Sequence, residues 1–163
     1  MGKLMHMFAV FLLGLAMLLP VQSGVRAEVN QPLVVVVGVK TNLTDISLAM
    51  LRRAFQGEGA STSDGKRLVP LNHAVGSSER ALFDRAVLGL EPSEVGRFWI
   101  NRRIRDEGAP PRTLPSADMG VRVVASYPGA ITYVSAKNVN ANVRVLRIDG
   151  KLPQDAGYLL TGR

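Results

Sequence analysis

The chain has 163 residues, no cysteine, two histidines, and 20 lysines and arginines against 13 acidic residues, for a formal net charge of +7. A single compact domain is expected, since domains cluster near ~100–150 residues. The missing cysteines exclude disulfides, thiolate-held metals, thiol catalysis and a lipidated N-terminal cysteine, and His6 and His73 alone do not make a histidine-rich metal site.

Lys3 precedes the apolar run 8–19, after which Pro20 and small or polar residues lead to Val25-Arg26-Ala27. This is the charged, apolar, small-x-small order of a cleavable secretory signal. The run has 12 residues. A spanning helix needs about 20, so a membrane anchor is not expected. Removal of residues 1–27 leaves a mature chain 28–163 with 18 basic residues against 13 acidic, a net +5. Outside the cytoplasm such a protein meets anionic solutes, peptidoglycan or lipid headgroups, and nucleic acid is not an expected partner.

Leu33-Val34-Val35-Val36-Val37-Gly38-Val39 is a β-branched run with no polar alternation, which predicts a central strand covered on both faces. After Lys40-Thr41-Asn42, Ser47 caps a helix with Leu48, Leu51, Ala54 and Phe55 on its apolar stripe. Ile46 and Leu51 form its hydrophobic staple, and Gly57 and Gly59 end it. Arg52 and Arg53 read as its solvated face. Residues 57–66 read as loop and 67–72 as a second strand. A second helix begins at Ser77 or Ser78 and runs through Phe83 and Val87 to Gly89. A third comes after Pro92, with Ser93 as cap, Phe98 and Trp99 in its body and Arg102, Arg103 and Arg105 in its last turn. Ser116 caps a fourth, with Val121, Val124 and Ala125 facing inward and Pro128-Gly129 stopping it. Residues 130–134 and 143–148 are the third and fourth strands. Strands alternating with helices of crossover length predict an α/β domain, a mixed sheet covered by helices.

An enzyme is not expected. No Gly-x-Ser-x-Gly elbow surrounds Ser77 or Ser78, and Asp64, Glu79, Asp84, Glu91 and Asp106 lack the spacing of paired catalytic carboxylates. Gly57-x-Gly59 ends a helix, whereas a nucleotide-binding loop opens one. No cofactor is implied. Arg80 in the first turn of a helix needs a compensating anion, either a carboxylate such as Glu79 or Asp84 or an oxyanion ligand.

Five stretches in this order resemble one family: Ser47-x3-Leu51-Arg52-Arg53-Ala54-Phe55-x-Gly57, Ser77-x2-Arg80-x2-Phe83, Phe98-Trp99, Gly108-x-Pro110-Pro111 and Pro128-Gly129-Ala130-Ile131-x-Tyr133-Val134. They are similar to short exported proteins related to the phosphate-type periplasmic substrate-binding proteins of ABC transporters. The resemblance implies one α/β lobe of the type II periplasmic-binding-protein-like fold. It also implies a periplasmic, non-enzymatic protein that binds phosphate or another small oxyanion and works with a membrane permease or sensor. The matching anion site is Gly76, Ser77, Ser78 and Arg80 at the second helix start, with Asn42 and Thr44 from the first strand–helix turn. Ser77 matches the receptors' serine, whereas Ser78, Glu79 and His73 stand where those receptors carry glycine, threonine and arginine. The alternative implied by these departures is an envelope interaction module that keeps the lobe without the ligand.

Overall fold

The computed structural model describes residues 31–162. The expected signal and its cleavage point lie outside the described residues.

The valine run forms β1 (Leu33–Gly38), and all six of its residues are buried. Burial on both faces is possible because β1 is an inner strand. With β3 (Val69–Asn72), β4 (Arg112–Thr113), β5 (Ala130–Ser135) and β6 (Val143–Val145) it makes a five-stranded sheet in the order β4-β3-β5-β1-β6. Alternate side chains point to opposite faces of a strand. Accordingly Leu33, Val35 and Val37 join a core with Phe55, Phe83, Tyr133 and Leu146, while Val34 and Val36 join a second with Val121, Val124 and Val134. Helices α1 (Leu48–Phe55) and α2 (Ser78–Phe83) supply the first layer and α4 (Ala117–Ser126) the second.

The direction of β1 decides what each end of the sheet can hold. β3 runs parallel to β4 and β5, but β1 is antiparallel to β5, with Leu33 opposite Ser135 and Val37 opposite Ile131. The chain leaving β1 therefore emerges beside the start of β5, and the chain leaving β3 emerges at the other end of the sheet.

Ser47 caps α1 as its sequence predicts, accepting from the Met50 N–H at 3.1 Å. Ser77, not Ser78, caps α2, which widens after Phe83 into a π-helical segment, Asp84–Leu88, closed by Gly89 at φ 68°. Arg52 and Arg53 are both exposed on α1, as expected, and the Arg52 Nε–H also donates at 2.7 Å to the Val87 carbonyl, one of those left open where the π segment ends.

Three expectations are corrected. Helix α3 (Val95–Ile104) has Glu94 at its N-cap with no side-chain cap, because Glu94 Oε2 accepts instead from the Glu91 N–H at 2.8 Å; Ser93 is exposed and is not the cap. The second strand begins at Val69, since Arg67 is spent on an antiparallel bridge to Ser61. The strand expected over 143–148 changes partner midway. β6 pairs with β1, and β7 (Arg147–Ile148) pairs in parallel with β2 (Asp45–Ile46) in a small second sheet.

Gly38 lies where β1 passes beneath α4, and a Cβ there would overlap the Val124 carbonyl. Gly38→Ala must push the helix from the sheet, and overpacking of this kind costs roughly 1–3 kcal/mol. The expected result is a lower urea midpoint with an unchanged m-value. An unshifted midpoint would show that α4 is not held against β1.

Candidate functional site

In open sheets with parallel strands, ligands collect at the carboxyl ends of those strands, where helix N-termini present unpaired N–H groups and a positive dipole end. Here that edge lies beyond β3 and β4, and two serine-capped helices start from it. Ser77 Oγ accepts from the Arg80 N–H at 3.2 Å and Ser116 Oγ from the Met119 N–H at 3.2 Å. Gly76 precedes the first of these starts at φ 89°, with open space around it, a conformation that glycine adopts without strain. Gly76 and Ser78 are exposed and Ser77 is half-buried. With the Arg80 N–H capped, the N–H groups of Ser78 and Glu79 have no acceptor within the helix. The Ser78 hydroxyl donates at 3.1 Å to Glu79 Oε2, which places a carboxylate beside the same turn.

Arg80 belongs to the floor beneath this edge. It is 5% exposed, and its Nε–H donates at 2.6 Å to Asp84 Oδ2, four residues on. Its Nη1 donates to the His73 carbonyl at 3.2 Å. The Asn72 amide is satisfied with its oxygen toward the guanidinium, accepting from Nη1 at 2.9 Å and Nη2 at 3.2 Å, and with its nitrogen donating to the Tyr133 hydroxyl at 2.6 Å. His73 Nε2 lies 2.6 Å from the Tyr133 carbonyl, and its ring stacks on that of Tyr133 at 4.8 Å. Phe83 stacks on Tyr133 with centroids 3.9 Å apart. Asn72, His73, Arg80, Asp84 and Tyr133 thus form one network tying α2 to β3 and β5.

Burial pushes the Asp84 carboxyl above its ordinary value, with the Arg80 charge and hydrogen bond pulling it back. Burial likewise lifts the Tyr133 hydroxyl well above the usual tyrosine range, so it stays protonated in the network.

The six residues expected to form an anion site do not come together. Gly76, Ser77 and Ser78 share the carboxyl edge. Arg80 is turned inward, and of its two expected carboxylate partners Asp84 holds it. Asn42 and Thr44 are exposed on the turn after β1, and the antiparallel direction of that strand places them beyond the opposite end of the sheet. Asn72 and Tyr133 are members of the network that the sequence does not mark as site residues, since both look like ordinary strand residues, although Tyr133 lies in one of the stretches that carry the resemblance. An asparagine ending a buried strand is the available signal, because a buried amide requires partners. Trp99 is buried, in keeping with a core role, though its indole N–H has no partner among the described residues.

No family model and no curated protein matches the sequence. Solved structures do. An ABC-type phosphate transport receptor from Vibrio cholerae superposes with a TM-score of 0.61 at 15% identity, over 76% of this chain and 48% of its own. A putative phosphate ABC transporter substrate-binding protein from Clostridium perfringens, with bound phosphate, gives 0.61 at 16% identity over 77% and 49%. PstS from Borrelia burgdorferi gives 0.58 at 12% over 76% and 49%. The chain spans about half the length of these proteins. Its fold is therefore that of a single lobe of a periplasmic binding protein, a mixed sheet covered by helices, and its structural likeness is to the phosphate-receptor group that its sequence resembles.

Removing one partner of a buried ion pair costs about 3–5 kcal/mol because the other is left uncompensated. Arg80→Met is expected to show this loss in urea unfolding at neutral pH, and Arg80→Met/Asp84→Leu to recover much of it. Without Arg80, burial alone governs Asp84, so its folded pKa rises further above the unfolded 3.8. Stability from such a group is fully present below the unfolded pKa and is lost as pH climbs through the folded one. The deficit of Arg80→Met relative to the parent is therefore expected to be smaller near about pH 4 than near about pH 7. A deficit independent of pH would mean that Asp84 is not the group left unpaired.

Proposed function

We propose that the chain is an exported, non-enzymatic solute-binding protein whose α2 start, at Gly76, Ser77 and Ser78, holds a small oxyanion such as phosphate in ABC-type uptake or sensing. The observation that carries this reading is the position of that start: a left-handed glycine and a capping serine, followed by N–H groups with no acceptor in the helix, at the carboxyl edge of parallel strands. Hydroxyls and backbone N–H groups can solvate an oxyanion there without a full counter-charge. The receptor likeness supports the ligand class, and one of those structures is described with phosphate bound. Arg80 contributes by bracing α2 from behind. A membrane permease or sensor is the partner this role requires, and no helix among the described residues is long and apolar enough to cross a membrane.

A second reading, an envelope interaction module without a ligand, is favoured by one observation: the cation expected to meet the anion is buried, and Glu79 stands at the turn instead. Calorimetry separates the two. Phosphate, sulfate and small carboxylates should include one ligand that gives heat, and Ser77→Gly should weaken it about tenfold, the loss of one hydrogen bond to a charged group. Its melting point should barely move, since glycine replaces a serine cap at a cost of only a few tenths of a kcal/mol. No heat at affinities down to about 1 mM, ~4 kcal/mol of binding, would leave the interaction module.

Export rests on residues 1–27. Mass analysis of protein from the cell envelope is expected to find a mature chain beginning at Glu28, and a chain still carrying residues 8–19 would overturn the cleavable signal.

A further inference from the structure

A second concavity lies at the other end of the sheet, where β1 ends and β3 begins. It is an open depression of about 460 Å³ lined by Ser47, Met50 and Arg53 from α1 and by Ala60, Ser61 and Arg67 from the segment leading into β3. We propose that it is a ligand site of its own, for a small organic dianion with two carboxylates on a short aliphatic body.

Charge and shape both favour that class. Two guanidinium-bearing side chains and two serines line the depression, and no acidic residue does. Among the described residues Arg53 pairs only with Glu58, at 3.8 Å, and the same carboxylate also lies 3.6 Å from Arg102, so its charge is divided. Arg67 makes no ion pair among the described residues. Guanidinium forks match carboxylates bidentately, and two forks on one depression call for two carboxylates. Ala49, Met50 and Ala60 also line it and offer apolar surface to a methylene chain. The walls are fixed: the Leu68 N–H donates to the Ala60 carbonyl at 2.8 Å, Ser61 bridges to Arg67, and Ser47 Oγ is held at 3.1 Å by the Met50 N–H, which leaves its own proton free to donate. Because β1 and β3 run in opposite directions, this depression and the α2 start lie at opposite ends of the sheet, so one can fail without the other.

The test is a titration of isotopically labelled protein with succinate, glutarate and adipate, followed by amide shifts and calorimetry, with butyrate and inorganic phosphate as single-headed controls. The expected result is that one dicarboxylate shifts the amides of Ser47, Met50, Ala60 and Ser61 and binds more tightly than either control. Arg53→Gln and Arg67→Gln, both at exposed positions and so near-neutral for folding, should each weaken it about tenfold. Ser77→Gly should not alter it. The proposal is overturned if those amides stay still up to about 10 mM ligand, ~2.7 kcal/mol of binding. It is equally overturned if butyrate matches the dicarboxylates or if both arginine variants bind like the parent.

Discussion

The pairing of β1 with β5 is the constraint on which the rest depends. Five consecutive residue pairs, from Leu33 with Ser135 to Val37 with Ile131, seat an all-apolar inner strand beside the central strand of the sheet. Its side chains divide between two cores, Leu33, Val35 and Val37 in one and Val34 and Val36 in the other. That register also leaves Gly38 under α4, where only a residue without a Cβ fits the approach of the Val124 carbonyl. The antiparallel sense of the pair then sorts the loops. The segment leaving β1 goes to one end of the sheet, and the segments leaving β3 and β4 go to the other.

The buried polar network at the root of α2 is a consequence of the short distance between β3 and that helix. A buried guanidinium needs acceptors, so once α2 packs on Tyr133 through Phe83 that of Arg80 must find them inside. Asp84 provides the counter-charge from the same helix, while the His73 carbonyl and the Asn72 amide provide the remaining acceptors from the strand. Each partner would be costly alone, and together they define one position of α2 against the sheet. One atom remains outside this scheme: Asp84 Oδ1 is buried with no partner among the described residues.

The sequence made the local features legible and the non-local ones not. The run at 33–39 announces a strand covered on both faces, because composition over a few consecutive residues carries that information. Ser47, Ser77 and Ser116 are readable as caps, since capping involves only the next three residues. That Arg80 needs a carboxylate is equally local, and Asp84 sits one turn away. Strand direction is different: nothing within residues 33–39 says whether the neighbour runs with them or against them. The grouping of Asn42 and Thr44 with Gly76 requires a parallel β1, and the sheet reverses it. The two-residue strand β2 and the switch of 143–148 from β1 to β2 pairing also escape, because they depend on contacts about a hundred residues away along the chain.

With Arg80 withdrawn into the core, the protein's positive charge is not focused on the α2 start. What remains there is a set of neutral donors, and the adjacent carboxylate of Glu79 opposes any gain from the helix dipole. A helix end acting alone contributes about 0.3–1 kcal/mol toward an exposed anion, and salt screens it. The binding proposed at that edge therefore rests on the number and alignment of hydrogen bonds more than on charge. The opposite end of the sheet reverses these conditions: Arg53 and Arg67 bring full charges to a depression without acids, and the cap of α1 is only one of its walls. A single strand direction thus gives one small domain two chemically different ends, one presenting hydrogen-bond donors at a helix start and the other two full positive charges.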